Sequence, residues 1–149
     1  MFKEIKKCVD DLQLNVQIKQ SARQISNILN RPIGSNINIV GTNSANPGAQ
    51  LYGWQSPVAM HQDNSGIIFF MPLVIEGDTE YLIYNDQKTE LKIGHLYMLD
   101  DSQLHATTGN GNVISLFMGS FQQDQITDEL IASVEQQFLE FLNWLFTLN

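Results

Sequence analysis

A series of short β-type runs, each closed by a turn signal, places the strongest constraint on how this chain folds. Glycine- and asparagine-rich turns such as Gly109-Asn110-Gly111 separate the runs. The runs cover residues 67–75, 80–84, 89–93, 96–99 and 113–121. Strands at this close spacing leave no room for crossover helices, so a parallel sheet is excluded. The pattern predicts a mainly β domain of the sandwich or jelly-roll type.

Helical patterns flank the β runs at both ends. Apolar residues recur at helical spacing over residues 2–30, interrupted by alternation at 14–18, and Pro32 closes the pattern. A second helix is predicted to begin after Thr127 and to run to about Phe146. Residues 41–57 are rich in Asn, Ser, Gly and Pro, which indicates a loop.

These patterns predict one domain over residues 1–149. It consists of an N-terminal helical segment at 1–35, a jelly-roll core at 36–122 and a C-terminal helix at 124–147. That helix is apolar on more than one face in its second half, so the barrel, the N-terminal helices or a second subunit must cover it. A homodimer through this helix is therefore one expectation.

Composition narrows the range of partners and cellular locations to be considered. The net charge of −8, with only two arginines, disfavours nucleic acid as a partner. No apolar run reaches the ~18 residues that span a bilayer, and the first residues lack the apolar core of a secretory signal. The single cysteine, Cys8, forms no internal disulfide. It lies among lysines that lower a thiol pKa, but an inert thiol on a helix is the prediction. A cytoplasmic protein is expected.

The residues with metal-binding potential are His61, Asp63 and His105. His61 and Asp63 form an H-x-D pair just before the long apolar run, and residues two apart in extended chain project to the same side. His105 precedes the last β run and reaches the pair only if its strand lies beside theirs. Two histidines and one carboxylate on one face are typical of non-haem iron(II) sites. The competing interpretation is a surface His-Asp pair with no metal and an unrelated core histidine.

The order of these residues resembles that of the iron(II)- and 2-oxoglutarate-dependent oxygenases, which have a double-stranded β-helix fold within the wider cupin-like class. The H-x-D motif is followed by Gly94, Leu96, Tyr97 and Asp100, and then by His105. The resemblance covers roughly residues 54–121. It implies that His61, Asp63 and His105 hold iron(II). It also implies 2-oxoglutarate as co-substrate and hydroxylation of a small-molecule or peptide substrate.

One departure from the family concerns the co-substrate. Members usually hold its far carboxylate with an Arg or Lys about ten residues past the distal histidine, and here no Lys or Arg follows Lys92. The residues considered as anchors instead are Lys88, Lys92, Arg23, Arg31, Tyr81, Tyr84, Thr107 and Ser115. The alternative function is a cupin-like protein that binds a metal or small ligand without 2-oxoglutarate turnover. A third is a structural module that dimerises through its helices.

The remaining histidine, His95, is a weaker candidate. It follows Gly94 at the start of a β run, where a turn-exposed side chain is expected rather than a metal ligand. Tyr52 and Trp54, just before the H-x-D motif, either wall a pocket or pack under the loop.

Overall fold

The computed structural model describes residues 1–10, 14, 37–40 and 49–145. Those residues form strands, one 3₁₀ turn and one α-helix. The strands are β1 (Phe2–Lys7), β2 (Ile37–Val40), β3 (Gln50–Gln55), β4 (Val58–His61), β5 (Ile67–Ile75), β6 (Tyr81–Tyr84), β7 (Gln87–Glu90), β8 (His95–Asp100), β9 (His105–Thr108) and β10 (Asn112–Phe121). The 3₁₀ turn covers Gln123–Gln125, and helix α1 covers Asp128–Leu145.

The strands form two antiparallel sheets. The larger has the order β1-β8-β5-β10-β3-β2 and the smaller the order β4-β9-β6-β7. From β3 onward the chain crosses repeatedly between the two sheets, which is the connectivity of a jelly roll. The predicted fold class, a cupin-like jelly roll, is confirmed.

The larger sheet is covered on both faces. Phe69 and Met71 of β5 face a cluster that includes Phe138 of α1. Ile68 and Phe70, which alternate with them, face the smaller sheet. Because both faces are covered, eight consecutive residues of β5 are buried, and the strand lacks the alternation of a half-exposed sheet.

Helix α1 begins as the sequence predicts. The Thr127 hydroxyl accepts a hydrogen bond from the Leu130 backbone N–H (3.1 Å), and two acidic residues occupy the first turn. The face that packs on the larger sheet consists of Val134, Phe138, Phe141 and Leu142. Among the described helices, none is long and apolar enough to span a membrane.

The prediction of helix at the start of the chain is wrong for Phe2–Lys7, which is strand β1 paired with β8. Phe2 stacks on Tyr97 inside the barrel, whereas Ile5 packs on the cluster beneath α1. The three-residue spacing therefore reflects two covered faces of one strand. Residues 11–13 and 15–35 of the predicted helical segment, including Arg23 and Arg31, lie outside the described residues. Leu14 between them is buried.

Two smaller expectations also fail. The segment interpreted as a loop contains β3, which pairs with β10 along its whole length. Cys8 follows a strand instead of lying on a helix, and its pKa is raised to about 11. Burial and then the charge of Glu135 raise it, and these outweigh the lowering effect of Lys6.

Candidate metal centre

The two histidines of the predicted triad face each other across the smaller sheet. His61 ends β4, His105 begins β9, and their Cα atoms are register partners. Their ring centroids lie 4.3 Å apart. His105 is buried and His61 is partly exposed, so the pair lies where the space between the sheets opens to solvent.

A β-bulge in β4 sets this pairing. Val58 pairs with Thr107 and His61 with His105, so Ala59 and Met60 together oppose the single residue Ala106. The extra residue turns His61 to the side on which His105 projects. Met60 is 53% exposed.

Backbone carbonyls orient both imidazole rings. The Nδ1 atom of His61 lies 2.8 Å from the Ala59 carbonyl oxygen, and that of His105 lies 2.8 Å from the Gln103 carbonyl oxygen. A carbonyl accepts only, so each Nδ1 carries the proton and donates it. The lone pair of each Nε2 is then available for a metal, the usual arrangement of metal-binding histidines.

Both Nε2 atoms lie close to the carboxylate of Asp63. Asp63 Oδ2 is 3.5 Å from Nε2 of His61 and 3.9 Å from Nε2 of His105. One ligand atom from each of the three residues falls within 4.8 Å of the others. Ligands at right angles around an ion, at bond lengths near 2.1 Å, are about 3 Å apart. The Asp63 oxygen lies less than 1 Å beyond that spacing from both nitrogens, and its side chain is half exposed.

Asp101 holds the loop that carries Asp63. Its carbonyl oxygen accepts the Asp63 N–H (2.8 Å), and its Oδ1 accepts the Gly66 N–H (2.9 Å). Its own N–H donates to the Gly66 carbonyl oxygen (2.9 Å). Asp101 is only 3% exposed, so these bonds are shielded from water and fix the loop to the end of β8.

A buried polar cluster fixes the other end of β4. We call Trp54, Ser56, Glu80 and Thr107 the Glu80 cluster. The Val58 N–H donates to Thr107 Oγ1 (3.0 Å), and Thr107 shares a hydrogen bond with Ser56 (3.0 Å). Ser56 and Trp54 both donate to Glu80 Oε2. Since the Glu80 carboxylate only accepts, every donor in the chain from Val58 to Glu80 has an acceptor.

An aromatic wall lies on the inner face of the larger sheet. Tyr52 contacts both Phe117 and Trp54, with ring centroids 5.7 and 6.2 Å apart respectively. All three rings are partly exposed although they face the second sheet. Burial raises the pKa of Tyr52, and the charge of Asp63 raises it further, so the wall lies within electrostatic reach of the triad.

Of the residues predicted to hold a co-substrate, the structure places Tyr84 and Ser115 on inward faces of the barrel and Tyr81 and Lys92 elsewhere. Tyr84 is the register partner of His105 and is buried on the same face. Ser115 is the partner of Tyr52 and therefore faces the aromatic wall. It is 1% exposed, and its hydroxyl is the buried side-chain polar atom of the described residues that has no partner.

Tyr81 and Lys92 lie away from the triad. Tyr81 alternates with the inward-facing Leu82 and Tyr84, so it is on the outer face of its strand, beneath Lys88 Nζ at 4.4 Å. Lys92 lies just before β8 begins, whereas the loop that carries Asp63 is hydrogen-bonded to Asp101, just after β8 ends. Lys92 and the triad are therefore at opposite ends of β8. Lys92 lines a surface cavity of about 570 Å³ whose lining includes none of the triad.

His95 is hydrogen-bonded to Glu4. Its Nδ1 lies 2.6 Å from Glu4 Oε1, which links β8 to β1, and it is not one of the grouped ligand residues. The expectation of a turn-exposed side chain is wrong, because 83% of the His95 side chain is covered (17% exposed). The expectation that His95 is not part of the triad agrees with its position.

Sequence reasoning named Thr107 as a candidate anchor but missed Asp101 and Glu80 as parts of this region. No local sequence pattern indicated these two carboxylates, because the partners of their side chains lie 24 to 35 residues away in sequence. Gly109 is the one local indication: a Cβ there would collide with the Glu80 carboxylate, so the close approach needs glycine.

Comparison with known proteins adds solved structures of low identity. The chain is similar to a cupin-2 domain protein from Shewanella frigidimarina (11% identity, TM-score 0.46), covering 70% of this chain and 99% of that one. It is similar to a salicylate 1,2-dioxygenase from Pseudaminobacter salicylatoxidans (13%, 0.41), covering 68% of this chain and 32% of that one. A cupin protein from Bacteroides fragilis matches at 12% identity and TM-score 0.38, covering 61% and 85%.

No protein-family model and no curated protein matches the sequence. At such low identity the fold assignment rests on the strand order of this chain. The fold is a cupin-like jelly roll. In this jelly roll the triad lies on the smaller sheet, and the aromatic wall lies on the larger sheet opposite.

Proposed function

We propose that this protein is a mononuclear non-haem iron(II) oxygenase whose metal is held by His61, Asp63 and His105. One observation carries the proposal. Both imidazoles donate Nδ1–H to backbone carbonyls, which directs both Nε2 lone pairs toward the one carboxylate that lies between them.

The donor set fits iron(II). Two imidazole nitrogens and one carboxylate oxygen on one face leave three coordination positions open, and such a site supplies oxygen activation when iron is bound. The chain's own groups have separate tasks. The buried His105 is the rigid ligand, and the exposed Asp63 supplies the negative charge that balances the cation. The aromatic wall offers a partly exposed apolar surface to a small-molecule or peptide substrate.

2-Oxoglutarate is the co-substrate that the sequence resemblance suggests. Ser115 supports it, because its hydroxyl lies on the inward face of the barrel and has no partner among the described residues. The Tyr84 hydroxyl, also on an inward face, accepts a hydrogen bond from the Met1 ammonium group. The test is succinate formation from 2-oxoglutarate, measured with iron(II) under oxygen, with the His105→Ala variant as control. Succinate from the natural sequence alone supports this co-substrate. Equal amounts from both proteins contradict it.

A cupin-like metal or small-ligand binding protein without 2-oxoglutarate turnover is the second candidate. The observation that favours it is the exposure of every described lysine to solvent, whereas the far carboxylate of 2-oxoglutarate is best bound by a cation. Metal binding together with neither succinate formation nor thermal stabilisation by 2-oxoglutarate would favour this candidate.

Metal binding itself is tested first. Protein purified without chelator is analysed for metal content and titrated with Mn²⁺, which accepts the same ligands as iron(II) but does not turn over with oxygen. We expect binding to the natural sequence and a loss of at least about 100-fold in affinity for His61→Ala and for His105→Ala. Unchanged affinity in both variants would eliminate the triad as the site.

A further inference from the structure

We propose that Asp101 is a positioning residue of the metal centre, which holds β4 in the bulged register where His61, rather than Met60, faces His105. The inference rests on the proposed metal site but concerns a residue that does not touch the metal.

The register of β4 on β9 has two regular alternatives. If β4 paired regularly from Val58 opposite Thr107, Met60 would lie opposite His105, and His61 would project to the other face. If it paired regularly from His61 opposite His105, Ala59 would lie opposite Thr107. The observed strand satisfies neither alternative throughout, because the bulge combines Val58–Thr107 with His61–His105.

Each half of the observed pairing has its own anchor. The Glu80 cluster binds the Val58 end, through the Val58 N–H on Thr107 Oγ1 and through Ser56 on Glu80. The Ser56 N–H also donates to the Gly111 carbonyl oxygen (2.9 Å). These contacts alone favour the regular register that places Met60 opposite His105.

Asp101 opposes that register from the other end. Its backbone groups bond to Asp63 and Gly66, and its side chain adds a second bond to Gly66, which together hold the loop after β4 against the end of β8. In the described residues β4 pairs with β9 alone, so no second neighbouring strand holds its register. The anchor at Asp101 therefore decides whether the H-x-D motif lies beside His105.

The first variant is Asp101→Ala, with Mn²⁺ as the probe and affinity measured by calorimetry. The change removes the side-chain acceptor for the Gly66 N–H and leaves the two backbone hydrogen bonds at position 101 in place. The loop is then held less firmly, β4 shifts toward the Met60 register, and we expect a loss of affinity of about 10-fold. Asp101→Asn keeps an oxygen acceptor and should restore most of the affinity. Ser102→Ala is the matched control, because Ser102 lies in the same turn but bonds to Asp100 and not to the loop.

A compensating deletion separates register from general damage. Removing Ala59 takes out the extra residue, so that Val58 opposite Thr107 and His61 opposite His105 belong to one regular register. The deletion also removes the Ala59 carbonyl that orients His61, so it is judged by register and not by affinity. In the Asp101→Ala background, it should restore the cross-strand contact between His61 and His105. Failure of the deletion to restore that contact would overturn the proposal.

A readout without metal keeps the inference independent of the proposed function. In metal-free protein, cross-strand NMR contacts of His105 should shift from His61 to Met60 in Asp101→Ala and return to His61 after the deletion. Persistence of the His61 contacts in Asp101→Ala would refute the register mechanism. If the natural protein binds no Mn²⁺ but the contacts shift as expected, the proposed function fails while the assignment of register to Asp101 stands.

Discussion

Single hydroxyls inside the barrel differ sharply in how they are partnered. Thr107 and Ser56 belong to a continuous chain of hydrogen bonds that ends on Glu80, whereas the equally buried Ser115 has no partner among the described residues. A buried polar group with a partner stabilises the fold, and one without a partner costs free energy. The two kinds of hydroxyl therefore predict opposite responses to removal.

We expect Ser115→Ala to leave the free energy of unfolding unchanged or to raise it by up to about 1 kcal/mol, because no protein hydrogen bond is lost. Thr107→Val should lower it by about 1–3 kcal/mol, since the buried Val58 N–H loses its acceptor and the Ser56 oxygen loses its donor. Urea denaturation measures both. A larger loss in Ser115→Ala than in Thr107→Val would show that the Ser115 hydroxyl is bonded in solution.

A second prediction at this scale concerns the carboxyl of Asp100. The Ser102 hydroxyl donates to it at 2.6 Å and, as the largest cause, lowers its pKa. A lowered folded-state pKa contributes stability that is present above the unfolded pKa and is lost as pH falls through the folded one. Ser102→Ala should raise the Asp100 pKa toward its usual range. Titration followed by carboxyl NMR checks this, and an unchanged pKa would contradict it.

At the scale of elements, the stability of the larger sheet depends on its packing against helix α1. Phe138 is fully buried on that face, and its ring packs on the outer side of the sheet. We expect Phe138→Ala to lower the free energy of unfolding by about 3–5 kcal/mol, through lost apolar contact and the remaining cavity. Gln136→Ala, on the exposed side of the same helix, should change it by less than about 0.5 kcal/mol. Similar losses for both would mean that α1 does not pack as described.

Elements also show how far sequence patterns reach. The apolar runs identified β5 at its observed bounds and β8 and β10 to within one residue at each end, because long or glycine-bounded apolar segments carry a clear period. Strand β1 was misassigned, since Phe2 and Ile5 are buried against different layers and so imitate helical spacing. Strand β3 was hidden among turn-forming residues. Its pairing with β10 is a long-range contact that no local pattern encodes.

The candidate site was likewise predictable from the sequence only in part. The H-x-D pair and its distance along the chain from His105 suggested the triad, which the structure brings together. The bulge and the anchors at Asp101 and Glu80 were not predictable, because they depend on strand register. Lys92 and Tyr81 were grouped with the site from sequence order, but strand ends and strand faces separate them from it.

At the scale of the whole molecule, a bound metal should couple to folding. A ligand that binds only the folded state stabilises it by about 2.7 kcal/mol at a concentration of 100 times its Kd. For a chain of this size, that corresponds to a rise of roughly 5–10 °C in Tm. We expect Mn²⁺ to produce such a rise in the natural protein and none in His105→Ala. The same rise in both would place the binding site elsewhere. The homodimer through α1 remains a prediction, which sedimentation can test.

The two sheets differ in how far other elements cover them, and this difference has a kinetic consequence. The larger sheet is enclosed between α1 and the barrel interior, whereas β4 is an edge strand that pairs only with β9 among the described residues. Local opening of an edge costs less free energy than global unfolding. Release of an ion to a chelator is therefore expected to follow the opening rate of β4, and variants that weaken the helix-covered core would leave the residence time of the metal unchanged.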